Sequence, residues 1–567
     1  MIPVTGTDSI ADCFARRVAA TPDAAAYRFH DPQSAVWKEH TWRQSGEMVA
    51  RMRAALEREG LAVGERVAIM AKNCPEWVFF DQAAHALGLV VVPIFVDDRA
   101  DNVAYCLNDS NVRVVLVDGP EQIAKLKEVA DRIPEVKRIV SVKELGAWLP
   151  PTAEARPPVK VDGSALATIV YTSGTTGKPK GVMLTHQNML QNAKAGLAVY
   201  DILPDDVFLS FLPLSHMLER TVGYYLTMIA GSIVAFARSI QQLGEDFKMV
   251  RPTIIVSVPR IFEKLHAQVQ STLQSAPPAK RRLFELASTV GWDVFQWKQK
   301  RGPWKPSFLL WPVLRKLVAA KLLERLGGRL RICISGGAAL NPQIAHTFIG
   351  LGLPICQGYG LTEASPIVSV NLLDRNDPAS IGMPLPGIEI AFGEKDVLLV
   401  RGPSVMQGYW KHPEATAKVL NAEGWLDTGD QARQKDGFLY ITGRIKEIIV
   451  LGTGEKVPPV DMELAIQLDP LFEQALVIGE GKPYLAALVV LGAAEKARAG
   501  TLDEKAIATR IAAQLKHFPG YAQIRRVATF DEPWTVDNGL LTSTMKPKRA
   551  QILERYPEKV EALYARR

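Results

Sequence analysis

Between Tyr171 and Gly181 the chain reads Tyr-Thr-Ser-Gly-Thr-Thr-Gly-Lys-Pro-Lys-Gly, a run of small hydroxyl residues, glycines and lysines. These residue types hold phosphate. Glycine lets backbone N–H groups approach phosphate oxygens, hydroxyls donate, and a lysine adds charge. Thr172, Ser173, Thr175 and Thr176 are the candidate donors, Gly174 and Gly177 the candidate backbone cradle, and Lys178 or Lys180 the candidate cation. The spacing differs from the common P-loop, which needs four residues between its glycines and Ser or Thr after its lysine. Here two residues separate Gly174 from Gly177, and Pro179 follows Lys178. The bland alternative is a polar surface loop, which Gly and Thr enrichment alone allows. The elements that must hold the loop are a buried strand over residues 167–170 and an apolar pattern over 182–190 that leads into a helix.

Four further segments follow in the chain: Ser335-Gly-Gly-Ala-Ala-Leu340, Gln357-Gly-Tyr-Gly-Leu-Thr-Glu363, Gly424-Trp-Leu-Asp-Thr-Gly-Asp430 and Gly443-Arg-Ile-Lys-Glu-Ile-Ile449. With the loop, and in this order, they resemble the signature motifs of the adenylate-forming superfamily, which includes acyl-CoA synthetases, firefly-type luciferases and the adenylation domains of peptide synthetases. The resemblance implies a multidomain α/β and α+β protein. A large N-terminal domain of wound β-sheets covered by helices, with a distorted barrel subdomain, would span 1–444, and a small mobile α+β lid 445–567, with the hinge at 445–447.

It also implies site roles. ATP would be held by Thr172 to Gly177 and Lys180, by Gly336, Gly337 and Ala338 beside the adenine, and by Gln357, Gly358, Tyr359, Gly360 and Thr362. Asp430 would accept from the ribose hydroxyls, and Arg444 would bind ribose or phosphate. Glu363 is the implied magnesium carboxylate and Thr172 a weaker metal candidate; one carboxylate suffices, because magnesium keeps water and takes its other oxygens from phosphate. Lys446 would be the hinge, and Lys546 the lysine that stabilises the adenylation transition state. Met545 before that lysine and Lys548 two positions later depart from the commoner Gly-Lys form, so Lys548 stays an alternative. Taken alone, Glu363 reads as a helix N-terminal acid, Tyr359 as core, Asp430 as a surface turn, and the tail as a basic surface.

The lack of a Ser-His-Asp signature fits this chemistry, since the substrate carboxylate is itself the nucleophile. The protein need only neutralise phosphate charge, align the attacking oxygen and later admit a thiol. The segment Phe211-Leu-Pro-Leu-Ser-His-Met-Leu-Glu-Arg220 is similar to one in long-chain acyl-CoA synthetases, where His216 would border the acyl carboxylate; a lone histidine on an apolar stretch otherwise reads as core. Residues 257–264 look like the same subgroup's gate segment. A long basic insertion over 267–330 carries Trp292, Trp297, Trp304 and Trp311. Within it Leu314, Leu317, Val318, Leu322 and Leu326 follow helical spacing. Such a helix either rests on anionic lipid or packs on its own domain, and both readings stay open.

At 567 residues the chain has room for two or three units. A net charge of +7 suits polyanionic small molecules or an acidic membrane surface as well as nucleic acid, but no basic run with interleaved aromatics accompanies it, and nucleic acid is set aside. The five scattered cysteines lack C-x-x-C spacing and read as reduced thiols. Residues 1–17 have no apolar core of a signal peptide, so the expected location is the cytoplasm, with the inner face of the membrane as a peripheral site. The uncharged run 221–237 reads as a buried helix followed by a strand rather than a transmembrane helix. The expected substrates are ATP, a fatty acid and coenzyme A, with magnesium as the metal and a carrier protein as the alternative acyl acceptor. Oligomeric state stays open, a homodimer included.

Overall fold

The computed structural model describes residues 1–172, 178–445, 447–499, 502–542 and 545–565. Two large sheets organise the first 384 residues, one of them joined at its edge by Gly408–Tyr409. One runs in the order Gly408–Tyr409, Lys180–Thr185, Leu166–Thr172, Val90–Pro93, Arg66–Met70, Val112–Val117, Arg138–Ser141. From Leu166–Thr172 to Arg138–Ser141 its neighbours are parallel. Strands buried on both faces read as continuous apolar runs rather than alternations, and Val-Arg-Val-Val-Leu-Val at 112–117 does so. The other sheet has nine strands, with Ile254–Ser257, Ile332–Ser335 and Ile355–Gly360 side by side and parallel. Between the sheets, helix Pro75–Ala86 buries every residue except Glu76, so Asp81, Gln82 and His85 must find partners inside the protein.

The phosphate loop joins two antiparallel strands, not a strand and a helix. Leu166–Thr172 pairs with Lys180–Thr185, Tyr171 opposite Gly181 and Thr172 opposite Lys180. The expectation of a direct run into helix overlooked that strand. The helix begins only at His186, where Thr185 and Asn188 form a reciprocal capping box. Gly181 is needed there, because a Cβ would come within 2.6 Å of Ile169 Cγ2.

Beyond residue 384 a four-stranded antiparallel sheet runs Glu389–Phe392, Val397–Arg401, Leu426–Lys435, Phe438–Arg444. The C-terminal part carries the three-stranded sheet Phe472–Ile478, Leu485–Leu491, Ile524–Phe530. Its middle strand is buried throughout. Leu485, Ala487, Val489 and Leu491 join a core with Met462, Ile466, Ile507 and Ile511. Ala486, Leu488 and Val490 join a second core with Trp534, Ile552 and Leu563. This is the period of two of a strand covered on both faces.

The insertion folds as helices Pro259–Gln274 and Pro278–Lys298 and a broken helical segment over 311–325. Helix Pro278–Lys298 crosses Pro342–Gly350 so closely that a Cβ on Gly291 would overlap the Gly350 carbonyl. In the broken segment Leu314, Leu322 and Leu326 are buried and Val318 half-buried, while Leu317, expected on the same stripe, is 49% exposed. A π-helical turn at Arg315–Ala319 adds a residue per turn there, which keeps the four-residue spacing of the others facing inward and turns Leu317 out. Among the described residues no helix is long and apolar enough to cross a membrane.

Candidate active site

Glu363 is the middle residue of a short 3-10 turn, Thr362–Ala364, after strand Ile355–Gly360. Its Oε1 accepts a hydrogen bond from the Tyr409 hydroxyl at 2.8 Å. Tyr409 reaches it because Gly408–Tyr409 pairs antiparallel with Lys180–Thr185, Tyr409 opposite Val182. The same pairing sets Lys180 Nζ 5.0 Å from the centre of the Tyr409 ring. A strand-edge cation, a phenol and a carboxylate therefore meet at the base of the loop. Burial first, then the Glu363 charge, raises the Tyr409 phenol above its ordinary value, so it remains a donor. Lys180 also lines a cavity of about 400 Å³ together with Lys411, His412, Glu414 and Lys418.

A second cluster gathers on Asp430. Its Oδ2 accepts from the Tyr359 hydroxyl at 2.6 Å and its Oδ1 from Arg444 Nε at 2.6 Å. Asp430 and Arg444 are register partners across two antiparallel strands, while Tyr359 comes from the nine-stranded sheet. Gln357 is buried and both ends of its amide are engaged, the oxygen accepting from the Leu340 N–H at 2.6 Å and the nitrogen donating to the Ser380 carbonyl at 2.9 Å. It thereby ties the 335–340 segment, with Gly336, Gly337 and Ala338, to the 357–363 segment. Gly360 admits no side chain: a Cβ would overlap the Pro366 carbonyl. Gly337 has φ +81°, a left-handed conformation that suits glycine.

His216 lies on the segment following strand Val207–Ser210. Asn73 fixes that segment, donating to Ser210 Oγ at 2.9 Å and to the Leu212 carbonyl and accepting from the Leu214 N–H at 2.9 Å. His216 Nδ1 accepts from the Leu218 N–H at 3.2 Å, which leaves Nε2 as the N–H donor. Burial, and then the charge of Lys546, pushes the imidazole down to about 4, so the ring is neutral near pH 7. One turn on, burial pushes the Glu219 carboxyl up to about 8, against the Ser210 hydroxyl, so this acid adds little negative charge where a carboxylate would approach.

Lys546 comes from the C-terminal part, on a turn closed by Thr542, whose Oγ1 accepts from the Lys546 N–H and whose N–H donates to the Lys546 carbonyl. The residue as a whole is exposed, yet its ammonium end is desolvated. That desolvation, and then Arg444, lowers it below the ordinary lysine value, opposed by Glu447 and Asp430. Lys548 lies elsewhere, beside Asp98, Asn102, Tyr171 and Pro179. Ser173, Gly174, Thr175, Thr176, Gly177 and Lys446 are outside the described residues. Thr172, Lys180, Glu363, Thr362, Asp430, Arg444, His216 and Lys546 are described on the segments above.

Tyr409 and Asn73 were not found from the sequence. Asn73 reaches partners 137 to 141 positions away and Tyr409 reaches Glu363 46 positions away from a different sheet, and neither sits in a run with a recognisable spacing.

A divalent ion fits beside Glu363. Among the described residues no group of three or more His, Cys, Asp or Glu could cage a metal. One carboxylate oriented by a phenol suits an ion that takes its remaining oxygens from phosphate and water.

The model of the AMP-binding enzyme family matches residues 14–410, and that of the AMP-binding enzyme C-terminal domain matches residues 446–567. The chain belongs to the AMP-binding enzyme family. It is 32% identical to the long-chain-fatty-acid–CoA ligase FadD15 of Mycobacterium bovis over 93% of each chain. It is 29% identical to the chloroplastic long-chain-fatty-acid–[acyl-carrier-protein] ligase AEE15 of Arabidopsis thaliana, over 95% of this chain and 84% of that one. The fold superposes on the anthranilate CoA ligase AuaEII in complex with anthranoyl-AMP with a TM-score of 0.77, at 19% identity and 99% coverage of both chains.

Proposed function

We propose that the protein activates a long-chain fatty acid with ATP and transfers it to coenzyme A. In the first step a carboxylate oxygen of the acid bonds to the α-phosphorus of ATP, and the bond to the bridging oxygen breaks, releasing pyrophosphate. In the second, the sulfur of coenzyme A bonds to the acyl carbon, AMP leaves with the electrons of the acyl–oxygen bond, and the thiol proton passes to solvent. The observation that carries this reading is the pair of clusters Lys180–Tyr409–Glu363 and Tyr359–Asp430–Arg444, drawn from three sheets and joined by the 357–363 segment that carries both Tyr359 and Glu363, with Lys546 of the C-terminal part beside Arg444 and Asp430.

The residues divide the work. The 173–177 loop and Lys180 neutralise the outer phosphates. Tyr359 covers the adenine, and Asp430 with Arg444 takes the ribose. Neutral His216 offers its Nε2–H to the acyl carboxylate and adds no charge that would hold the substrate in its ground state. Lys546 meets the negative charge that builds as phosphorus is attacked. Magnesium, held by Glu363 with Thr172, would supply further charge neutralisation on the phosphates. Lys446 acts as the hinge between a C-terminal unit beginning near 445 and the remainder, so that Lys546 withdraws before the thiol enters. The five cysteines are free thiols, which suits the cytoplasm.

The substitution Tyr409→Phe tests the metal assignment. Removing the hydroxyl that orients Glu363 should raise the magnesium concentration for half-maximal ATP–pyrophosphate exchange about 10-fold or more. An unchanged magnesium dependence would remove Glu363 as the ligand.

The similarity to AEE15 supports a second reading, in which the acceptor is a phosphopantetheinyl carrier protein. Oleate offered with either acceptor separates the two: thioester should form faster on coenzyme A, and faster acylation of the carrier would replace the first reading. A third reading, a silent lipid-binding scaffold, requires that fatty-acid-dependent pyrophosphate exchange be absent altogether.

A further inference from the structure

Among the described residues, twenty-one large apolar side chains are exposed, and six of them fall between Trp297 and Leu317. Leu309 is 75% exposed and Val313 59%. Leu310, Val313 and Leu317 are exposed along the helical segment, while Leu314 and Leu322 of the same segment are buried. Trp304 is held in place against Phe308, ring centres 6.0 Å apart, and Trp297 against the same ring at 5.8 Å. Between Trp297 and Arg325 there are eight lysines and arginines against the single acid Glu324, a local excess as large as the +7 of the whole chain. Lys305 pairs with Asp293 and Arg301 with Asp377, while Arg315, Lys316 and Lys321 are exposed without a described ion pair.

We propose that the face formed by residues 304–321 docks on an anionic lipid bilayer. An apolar ridge of this kind on a soluble surface marks a contact surface. Three features select the bilayer. Tryptophan and leucine enter the headgroup and upper acyl region, long cationic side chains beside them extend to phosphate, and among the described residues no helix is long and apolar enough to cross the membrane, so the segment would lie in the interface plane. A second copy of this chain is disfavoured, because a two-fold contact would set this cationic face against itself. The proposal does not depend on the acyl substrate, since lipid binding is read without ATP, fatty acid or coenzyme A.

The test uses the full chain and sedimentation with vesicles, either of phosphatidylcholine alone or of an equal mixture with phosphatidylglycerol. The parent should sediment with the mixed vesicles and stay in solution with the neutral ones. Lys316→Gln and Lys321→Gln should each weaken partitioning about fivefold. Leu310→Ser with Leu317→Ser should abolish it. All four sites are exposed and lie outside the nucleotide cleft, so pyrophosphate exchange should stay at the parent level in each variant. The proposal is overturned if the parent binds both vesicle types equally, or if neither set of variants alters sedimentation. It is equally overturned if ultracentrifugation without lipid finds a parent dimer that the Leu310→Ser/Leu317→Ser variant abolishes.

Discussion

Lys546→Ala should lower fatty-acid-dependent pyrophosphate exchange about 10²- to 10³-fold, the range found when one charge-stabilising donor is removed from an acyl- or phosphoryl-transfer site. Thioester formation from supplied acyl-adenylate and coenzyme A should stay close to the parent rate, because that step begins after pyrophosphate has left. The desolvated ammonium, crowded by Arg444, loses its proton at a lower pH than an ordinary lysine. Adenylation needs the charged form, so its rate should fall on the alkaline side at a lower pH than a solvent-exposed lysine would give, and Lys546→Arg should move that limb upward. Lys548→Ala is the matched control. Lys548 lies against Asp98, Asn102 and Tyr171, away from Asp430 and His216, so its removal should affect exchange far less. Equal loss of both half-reactions in Lys546→Ala would sink the assignment.

Asp81→Ala should destabilise the protein by about 3–5 kcal/mol. Arg220 is fully buried and donates to Asp81 Oδ1 at 2.5 Å and to Thr168 Oγ1 at 2.8 Å. Asp81 Oδ2 accepts from Tyr224 at 3.0 Å and Tyr225 at 3.2 Å, and His85 Nε2 lies 3.3 Å from Oδ1. Burial opposes ionisation of Asp81, but Arg220, with His85 and Tyr224, overcomes it and holds the carboxyl below its ordinary range. Removing Asp81 strands the guanidinium without a counter-charge. Because Arg220 joins the helical segment after His216 to the strand carrying Thr172, the loss should also loosen the site. Urea unfolding followed by tryptophan fluorescence measures the effect. The double change Asp81→Leu with Arg220→Met should recover much of the loss, since the pair is removed together. If Asp81→Ala unfolds at the parent's urea concentration, the network carries no stabilising role.

The parts of the site legible in the sequence are those in which function demands a residue type at a fixed local spacing. The glycines at 336, 337, 358 and 360 were singled out for close backbone passage; at Gly360 the Pro366 carbonyl leaves no room for a Cβ, while at Gly337 the positive φ rather than crowding favours glycine. The strand Leu166–Thr172 was readable from its apolar run over 167–170, with bounds that shifted by one or two residues. The strand Lys180–Thr185 was missed because Val182 and Leu184 fit a helix entry as well as a half-covered strand until the pairing with Leu166–Thr172 is known.

Local chemistry along the chain therefore determined the AMP-binding family, a proposal for which residues face the nucleotide, and sheets wound with helices between them. Only the tertiary structure decided that Tyr409 orients Glu363, that Lys546 rather than Lys548 faces Asp430 and His216, that Arg220 is locked to Asp81, and that Leu317 points to solvent. The physical reason is range. Glycine spacing and strand periodicity act over a few residues, whereas a hydrogen bond between positions 46 apart, or an ion pair between positions 139 apart, exists only once sheet pairing and burial have set the two groups side by side.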